Sequence, residues 1–372
     1  MAMLKLDRVT KRYGSETVLD GVSLSVAEGE TVAIFGPSGS GKTVLLRLIA
    51  GMTEPDEGAL LIGGQDMIGV APENRAVGMA FQNFALFPHM SAYENIASPL
   101  EARRSGREQV KEGVDRVARL LKIDHVLGHA PRQLSNGQKQ RTALARALVA
   151  APKLLLLDDP LRNVDAKLRF EMRLELPRLL QGFGSTVLYV TQDYREAMAL
   201  GNRIAVLVGG RFVQVGTPEE IYDRPATIEV AKLFGDPTIN LLEAEVQAAG
   251  GATVASVGRR RFSLAAGYED MAGRRVTLGI RPENIDFADP GHPDALPVRV
   301  AALLPLNDRL VRLVVGEDGH EFNVSKSSGT RALGEGETAA IRAEPSSIIL
   351  FDSASGERIA PKIEARERVA AT

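Results

Sequence analysis

The sequence has no cysteine, no concentrated excess of basic residues and no long apolar run. The absence of cysteine excludes a disulfide framework and a thiolate metal site. The 45 basic and 47 acidic side chains give a formal net charge of -2, which is not the basic excess typical of nucleic-acid-binding proteins. His89, His125 and His129 do not have the spacing of metal ligands.

Membrane and secretion signals are also missing from the sequence. No stretch reaches the roughly 18 consecutive apolar residues that a membrane span requires, and residues 1–14 lack the apolar core and cleavage site of a secretion signal. We therefore expect a cytoplasmic protein that binds no nucleic acid. Any role at a membrane would have to come through a partner.

The 372 residues, 44% of them apolar, are sufficient for two domains. Apolar runs that alternate with glycine-rich and helical segments predict an α/β domain in residues 1–235, with a helical insert at about 88–151. Short β-rich segments between Gly, Pro and Asp predict an all-β, barrel-like domain in residues 236–352. The charged, alanine-rich residues 353–372 are expected to form a flexible tail.

A glycine-rich loop carries the strongest chemical signal. Residues 36–43 follow a predicted strand, precede a predicted helix and fit the pattern G-x-x-x-x-G-K-[ST]. The glycines let backbone N–H groups turn inward and, with the positive end of the helix, hold phosphate charge. Lys42 is expected to reach the terminal phosphates and the Thr43 hydroxyl to bind Mg²⁺, which predicts an ATP site. Its predicted residues are Gly36, Pro37, Ser38, Gly39, Ser40, Gly41, Lys42 and Thr43.

An acidic pair supports the same site. Four leucines, residues 154–157, predict a buried strand that ends at Asp158 and Asp159. A carboxylate at the end of such a strand lies at the edge of a parallel sheet where the Mg²⁺ of a nucleotide is held. Taken alone, the pattern could equally mark the end of a strand. Together with the phosphate loop, it favours Asp158 as a metal ligand.

Residues 134–141, Leu-Ser-Asn-Gly-Gln-Lys-Gln-Arg, resemble the signature sequence of ATP-binding cassette (ABC) ATPases. Other elements of that family follow in order. Tyr13 resembles the aromatic residue that stacks on adenine, and Gln82 resembles the glutamine of the loop that reaches Mg²⁺. Asn163 and Asp165 match the loop that joins two subunits, and Gln192 stands where the family has its switch histidine. The resemblance thus implies a P-loop, RecA-like nucleotide-binding domain with Thr43, Gln82 and Asp158 on Mg²⁺.

The resemblance extends to the import ATPases of the maltose-transporter type, through residues 84–95, 215–225 and 279–284. Those proteins carry a C-terminal TOBE domain that is OB-like. The family implies two ATPase subunits facing head to tail, each ATP lying between one phosphate loop and the partner's signature. The signature residues here are Leu134, Ser135, Asn136, Gly137 and Gln138.

The family also implies membrane partners. Two transmembrane permease subunits, served by a solute-binding protein, would receive the motion through a groove near Gln82 and residues 84–93. The chain would then lie on the cytoplasmic side of the inner membrane as a peripheral subunit. The basic cluster Arg259-Arg260-Arg261 is expected to be a solvated face.

Four positions depart from the family pattern. Asp159 stands in place of the glutamate that polarises the attacking water, and Gln192 in place of histidine. Val44 replaces a hydroxyl residue, and Arg162 a small serine. A carboxylate displaced by about 1 Å can cost about a hundredfold in rate. We therefore predict a weakened catalytic site, formed by Asp159, Gln192 and Gln82, in a chain that pairs with a different ATPase subunit.

The predicted function is import of a carbohydrate or polyol. Glycerol is favoured because glycerol importers of this family use two different ATPase subunits, and other small solutes stay open. The alternatives are a regulatory ATP-binding subunit with little or no hydrolysis, or a homodimeric importer ATPase for another solute. The C-terminal domain either senses a regulator or widens the dimer interface.

Overall fold

A computed structural model describes residues 2–249, 252–258, 260–292, 295–306, 309–317, 319–327 and 333–362. They divide into two compact units between Pro218 and Glu219. The elements of the first unit are β1 (Ala2–Tyr13), β2 (Glu16–Ala27), β3 (Thr31–Phe35), α1 (Lys42–Ala50), β4 (Glu57–Ile62), β5 (Gln65–Asp66), β6 (Val77–Ala80), α2 (Ala92–Ala102), α3 (Arg107–Leu120), α4 (Asn136–Leu148), β7 (Leu154–Asp158), α5 (Ala166–Phe183), β8 (Thr186–Thr191), α6 (Tyr194–Leu200), β9 (Arg203–Val208) and β10 (Arg211–Gly216).

The central sheet of this unit has the strand order β10-β9-β3-β8-β7-β6, and all neighbours run parallel except β10 and β9. The leucine run in β7 explains its position. Leu155 and Leu157 enter one hydrophobic core, whereas Leu154 and Leu156 enter the other. Since both faces of the strand are covered, an uninterrupted apolar run replaces the alternation of a half-exposed strand.

One face of the central sheet packs against an antiparallel sheet of order β2-β1-β4-β5 together with α1. The other face packs against α2, α3, α4 and α5. Helix α2 begins at a capping box: Ser91 Oγ accepts from Glu94 N at 3.2 Å, and Glu94 Oε2 accepts from Ser91 N at 2.7 Å. The predicted α/β fold with a helical insert is confirmed.

The second unit is built from β-strands after two short helices. Its elements are α7 (Pro218–Asp223), α8 (Ile228–Leu233), β11 (Asn240–Ala249), β12 (Ala252–Val257), β13 (Arg260–Ser263), β14 (Arg275–Ile280), β15 (Ile285–Ala288), β16 (Leu296–Leu306), β17 (Arg309–Gly316), β18 (Glu321–Ser327), β19 (Thr338–Ala343), β20 (Ile348–Asp352) and β21 (Arg358–Ile359). They form two antiparallel sheets, β13-β12-β11-β14-β20-β21 and β15-β19-β16-β17-β18. Leu278, Val300, Val314 and Leu350 belong to one shared core. The all-β prediction is confirmed for this unit.

The short helices group with the strands of the second unit, which begins at Glu219. Arg281 supplies a physical reason, since this buried side chain donates to the backbone carbonyls of Tyr222 at 2.8 Å and Ala231 at 3.0 Å, and also to that of Phe234. A buried guanidinium requires such acceptors. These bonds fasten α7 and α8 to the sheets that follow.

The predicted flexible tail begins too early. Strand β21 pairs with β20, Glu357 forms a bridge with Thr227, and Lys362 N donates to Gly267 O, so backbone hydrogen bonds reach into residues 353–362. Residues 363–372 lie outside the described residues. So does Arg259, while Arg260 is half-buried and Arg261 is exposed in β13. None of the helices in the described ranges combines the length and apolar character needed to cross a bilayer.

Candidate functional site

Four parallel strands deliver their following loops to one edge of the central sheet. The residues that pair near this edge are Phe35 with Thr191, Val190 with Asp158, and Leu157 with Ala80. The segments 36–41, 81–83, 159–162 and 192–193 therefore leave the sheet side by side. The carboxyl edge of a parallel sheet is the usual place for a ligand.

Two positions of the phosphate loop require glycine. A Cβ on Gly36 would lie 2.1 Å from the carbonyl oxygen of Leu207, and Gly41 has a φ of 98°. Lys42 is buried behind the loop, where its Nζ donates to Gly36 O at 2.9 Å, Pro37 O at 2.6 Å and Ser40 Oγ at 3.2 Å. Burial lowers the pKa of Lys42. The side chain of Lys42 thus holds the loop in its curved conformation.

A cavity of about 300 Å³ opens in front of this loop. Its lining residues are Val18, Ser38, Gly39, Gly41, Lys42, Thr43, Val44, Gln82, Asp158, Asp159, Arg162, Val190 and Gln192. The Thr43 hydroxyl donates to Asp158 Oδ1 at 3.2 Å, although the two residues are 115 positions apart. Hydroxyl, carboxylate and amide oxygens are hard donors that suit Mg²⁺. The oxygens of Thr43, Asp158 and Gln82 therefore fit the predicted metal in kind and place.

Asp159 sits at a strained turn immediately after β7. Its φ is 44°, which is rare for a residue with a side chain, and its N–H donates to Val190 O at 2.9 Å. The side chain is buried and lies 3.7 Å from the Arg162 guanidinium. Burial raises the pKa of Asp159 to about 6, with Arg162 opposing that rise and Asp158 adding to it. The carboxylate is held inside the cavity in an environment that disfavours its charge.

Gln192 is exposed at the mouth of the cavity, and a buried network fixes the chain beside it. Glu196 accepts from Tyr189 Oη at 2.8 Å and from Thr191 Oγ1 at 2.9 Å. The Thr191 hydroxyl in turn accepts from Asp193 N at 3.0 Å. Burial raises the pKa of Glu196. These hydrogen bonds therefore hold the backbone on either side of Gln192 in place.

The Gln82 segment contacts the loop that contains Asn163 and Asp165. The Asn163 side chain donates from Nδ2 to the backbone carbonyl of Gln82 at 2.8 Å. Asp165 caps α5, since its Oδ1 accepts from Leu168 N at 3.0 Å. A movement of the Gln82 segment would thus displace Asn163 and the segment that begins α5.

Tyr13 lies at the end of β1, with its side chain 49% exposed and Lys11 Nζ 5.4 Å above its ring. It does not line the cavity, but Val18 of the paired strand β2 does. An exposed aromatic face is able to stack on a planar ring. The role of Tyr13 as an adenine platform stays a prediction.

The signature residues form the start of α4 and are not part of the phosphate-loop cavity. Ser135 caps the helix: its Oγ accepts from Gln138 N at 3.2 Å, and its N–H donates to Gln138 Oε1 at 2.9 Å. Asn136 is exposed beside it, while Leu134 is buried. A Cβ on Gly137 would meet Leu168 Cδ2 at 2.2 Å, so α5 packs directly on this glycine. The signature residues and the phosphate-loop cavity therefore occupy separate places in the chain.

A second cavity, of about 640 Å³, lies between β6 and the helical insert. Phe81, Phe87, Met90, Pro99 and Ala147 give it a largely apolar lining. Phe84 and Ala85 beside it have φ values of 63° and 47°, and their carbonyls accept from the guanidinium of the half-buried Arg146 at 3.1 and 2.8 Å. This is the groove predicted near residues 84–93.

Sequence reasoning missed several residues that shape these cavities. Val18 lines the first cavity, and Arg146 donates to the backbone beside the groove. Glu196 holds the segment that carries Gln192. None of the three was predicted as a site residue. Arg146 lies 61 and 62 residues from its acceptors, so spacing offered no signal. Of these three residues, only Glu196 has a signal in the sequence, as a charged residue within a short helix, and the structure shows that it is buried.

A phosphate loop at the carboxyl edge of a parallel sheet, with an acidic strand end beside it and a separate signature helix, defines an ATP-binding cassette ATPase. Comparison with known proteins agrees with this class. A family profile described as ABC transporter matches residues 19–162, a MalK OB fold domain matches residues 235–285, and a TOBE domain matches residues 278–351.

Relatives and solved structures give the same result. The chain is 40% identical to the sn-glycerol-3-phosphate import ATP-binding protein UgpC of Yersinia pseudotuberculosis, over 97% of this chain and 100% of that protein. The identity to UgpC of Escherichia coli K12 is also 40%, over 96% and 100% of the two chains. Two dimeric structures of the cassette MJ0796, one with ADP and Pi, are 33% and 34% identical, with TM-scores of 0.53 and 0.54, and cover 58% of this chain and 99% of theirs.

The chain therefore belongs to the ABC transporter family, as an ATP-binding ATPase of an import system.

The raised pKa of Asp159 predicts a pH-dependent cost to stability. Because the folded protein holds this proton more tightly than the unfolded chain, the stability it contributes is complete below the ordinary pKa of 3.8 and is lost as the pH rises through about 6. Asp159→Asn should remove this loss, so that between about pH 4 and about pH 7 the parent falls by at most about 3 kcal/mol relative to the variant. Urea unfolding followed by circular dichroism measures the difference. The exposed-site control Asp124→Asn should track the parent, and parallel curves for parent and Asp159→Asn would contradict the prediction.

Proposed function

We propose that this chain binds ATP with Mg²⁺ in the phosphate-loop cavity and uses it to drive a membrane importer. The observation that carries the proposal is the cavity that joins Lys42, the Thr43–Asp158 pair and Gln192 at one edge of the sheet. The near full-length similarity to import ATP-binding proteins supports the coupling to transport.

The loop amides and the N-terminus of α1 would hold the phosphates, and Lys42 would exchange its loop acceptors for phosphate oxygens. Thr43, Asp158 and Gln82 would hold Mg²⁺, which when bound neutralises charge on the terminal phosphates. Asp159 would orient and polarise the attacking water, while Gln192 would donate its amide to the terminal phosphate. Ser38, Gly39 and Ser40 shape the loop around these groups.

Ser135 and Gly137 would complete the ATP site of a second ATPase subunit. They begin a helix, where N–H groups favour an anion, and they do not line this chain's own cavity. Two such subunits facing head to tail would enclose two nucleotides. The dimeric state named for the two similar cassettes supports this arrangement.

The apolar groove would receive a segment of each membrane partner. The groove is lined in part by β6, and the Gln82 segment follows β6 in the chain. The Gln82 segment therefore forms part of the connection between the ATP cavity and the groove. Asn163 extends the same connection to the segment that precedes α5. Two permease subunits and a solute-binding protein would complete the importer, with this chain bound peripherally on the cytoplasmic side of the inner membrane.

The transported solute is proposed from the relatives alone. Both UgpC proteins are named for import of sn-glycerol-3-phosphate, which places a phosphorylated polyol ahead of glycerol itself. The residues of this chain make no contact with the solute in such a system, so they add nothing to that choice.

The cavity of this chain is proposed to hydrolyse ATP slowly and to work beside a better-equipped, non-identical ATPase. All four departures, Val44, Asp159, Arg162 and Gln192, line the same cavity. The shorter side chain of Asp159 displaces its carboxylate from the position of the family's glutamate, and the neutral Gln192 donates without a positive charge. The same features favour, as a second candidate, a subunit that closes on ATP and scarcely hydrolyses it.

Lys42→Ala should lower ATP affinity by at least about tenfold and abolish solute uptake, because the ammonium that meets the terminal phosphates is lost. Calorimetry measures the affinity, and uptake of labelled sn-glycerol-3-phosphate into cells measures transport. Lys153→Ala, at an exposed position outside the cavity, is the matched control. Normal nucleotide binding and normal uptake by Lys42→Ala would end the proposal.

Asp159→Glu combined with Gln192→His should raise the ATPase rate of the purified transporter by about tenfold or more, since the carboxylate is extended and a cation is restored at the switch position. The rate of phosphate release measures it. Lys42→Ala in the same background controls for contaminating activity. An unchanged rate would mean that the departures do not limit hydrolysis.

Affinity purification of the tagged chain from its native membrane should recover a second, non-identical ATPase in a one-to-one ratio with it. Quantitative mass spectrometry of the intact complex measures the ratio. A complex with two copies of this chain and rapid turnover would refute the unequal pair.

A further inference from the structure

Arg162 places a second positive charge in the ATP cavity. Among the described residues that line it, Lys42 and Arg162 are the cations, and Asp158 and Asp159 are the anions. Lys42 is buried among loop oxygens, whereas the Arg162 side chain is 48% exposed. Arg162 is therefore the cation at the open side of the cavity.

The backbone that carries Arg162 is fixed while its guanidinium is not. Arg162 N donates to Asp159 O at 3.2 Å, and Arg162 O accepts from Arg169 Nη2 at 3.2 Å. The closest approach of its guanidinium to Asp159 Oδ2 is 3.7 Å, which is an ion pair and not a hydrogen bond. A pair that lacks a hydrogen bond and has a half-exposed cation leaves the guanidinium able to exchange its partner for one that accepts hydrogen bonds.

A terminal phosphate would be such a partner. With Asp158 engaged by Mg²⁺, the described lining without Arg162 would offer the terminal phosphate Lys42 as a cation and Asp159 as an unneutralised anion. Gln192 cannot correct this balance because its amide is neutral. A guanidinium meets phosphate through two parallel N–H bonds and stabilises the charge that develops during phosphoryl transfer.

We propose that Arg162 binds the terminal phosphate of ATP from within the same chain and thereby compensates for the neutral residue at position 192. The contact is made with ATP and not with ADP, since ADP lacks that phosphate. This inference rests on the proposed nucleotide site and adds a specificity residue to it.

The test compares ATP and ADP binding to the full-length chain by calorimetry in the cold with Mg²⁺. Arg162→Ala should weaken ATP binding by about tenfold and leave ADP binding unchanged, and Arg162→Lys should restore part of the loss. Arg178→Ala, an exposed arginine of α5 outside the cavity, should bind both nucleotides as the parent does.

Equal losses for ATP and ADP would overturn the proposal, because Arg162 would then only support the turn. Unchanged ATP affinity would also overturn it. So would tighter ATP binding or faster hydrolysis by Arg162→Ala, which would make Arg162 an inhibitory partner of Asp159. A parent chain that binds neither nucleotide would instead refute the nucleotide site itself.

Discussion

The parallel hydrogen bonding of β3, β8, β7 and β6 is the constraint on which the rest of the site depends. Each strand ends at the same edge, so four loops that are distant in sequence emerge together. The register is held by burial on both faces, since a slip by one residue would exchange the side chains between the two cores. The position of Asp158 beside Thr43 follows directly from this packing.

The loops at that edge are fixed by polar contacts and not by packing alone. Lys42 ties the phosphate loop, Glu196 holds the Gln192 segment, and Asn163 fastens the Gln82 segment. Such contacts are costly to leave unmade, so they define one arrangement of each loop. A site prepared in this way needs little rearrangement before charge develops on a phosphate.

The phosphate-loop cavity and the signature helix start differ in how their residues are held. The cavity contains a buried, strained Asp159 and a half-exposed Arg162, whereas the Ser135 helix start is capped and tightly packed through Gly137. The signature helix start is thus the more regular of the two places. This contrast is one reason for the proposal that the chain pairs with a different ATPase subunit.

Much of the fold was predictable because its signals are local. The strand 31–35, the leucine strand and the helix after Lys42 follow from apolar pattern and glycine placement. The beginning of the second unit and the pairing of residues 353–362 were not predictable, since they depend on Arg281 and on β21, which act across long separations. No periodicity encodes a bond between residues that meet only after folding.

The sequence by itself determined the phosphate loop, the signature and the four departures from the family, because each is written in the identity and order of neighbouring residues. The tertiary structure decided that those departures share one cavity, that Asp159 is strained and buried, and that Arg162 faces it. Burial and charge environment arise only when distant segments pack together. The chemical type of each residue could therefore be read from the sequence, whereas its burial and its charged neighbours could not.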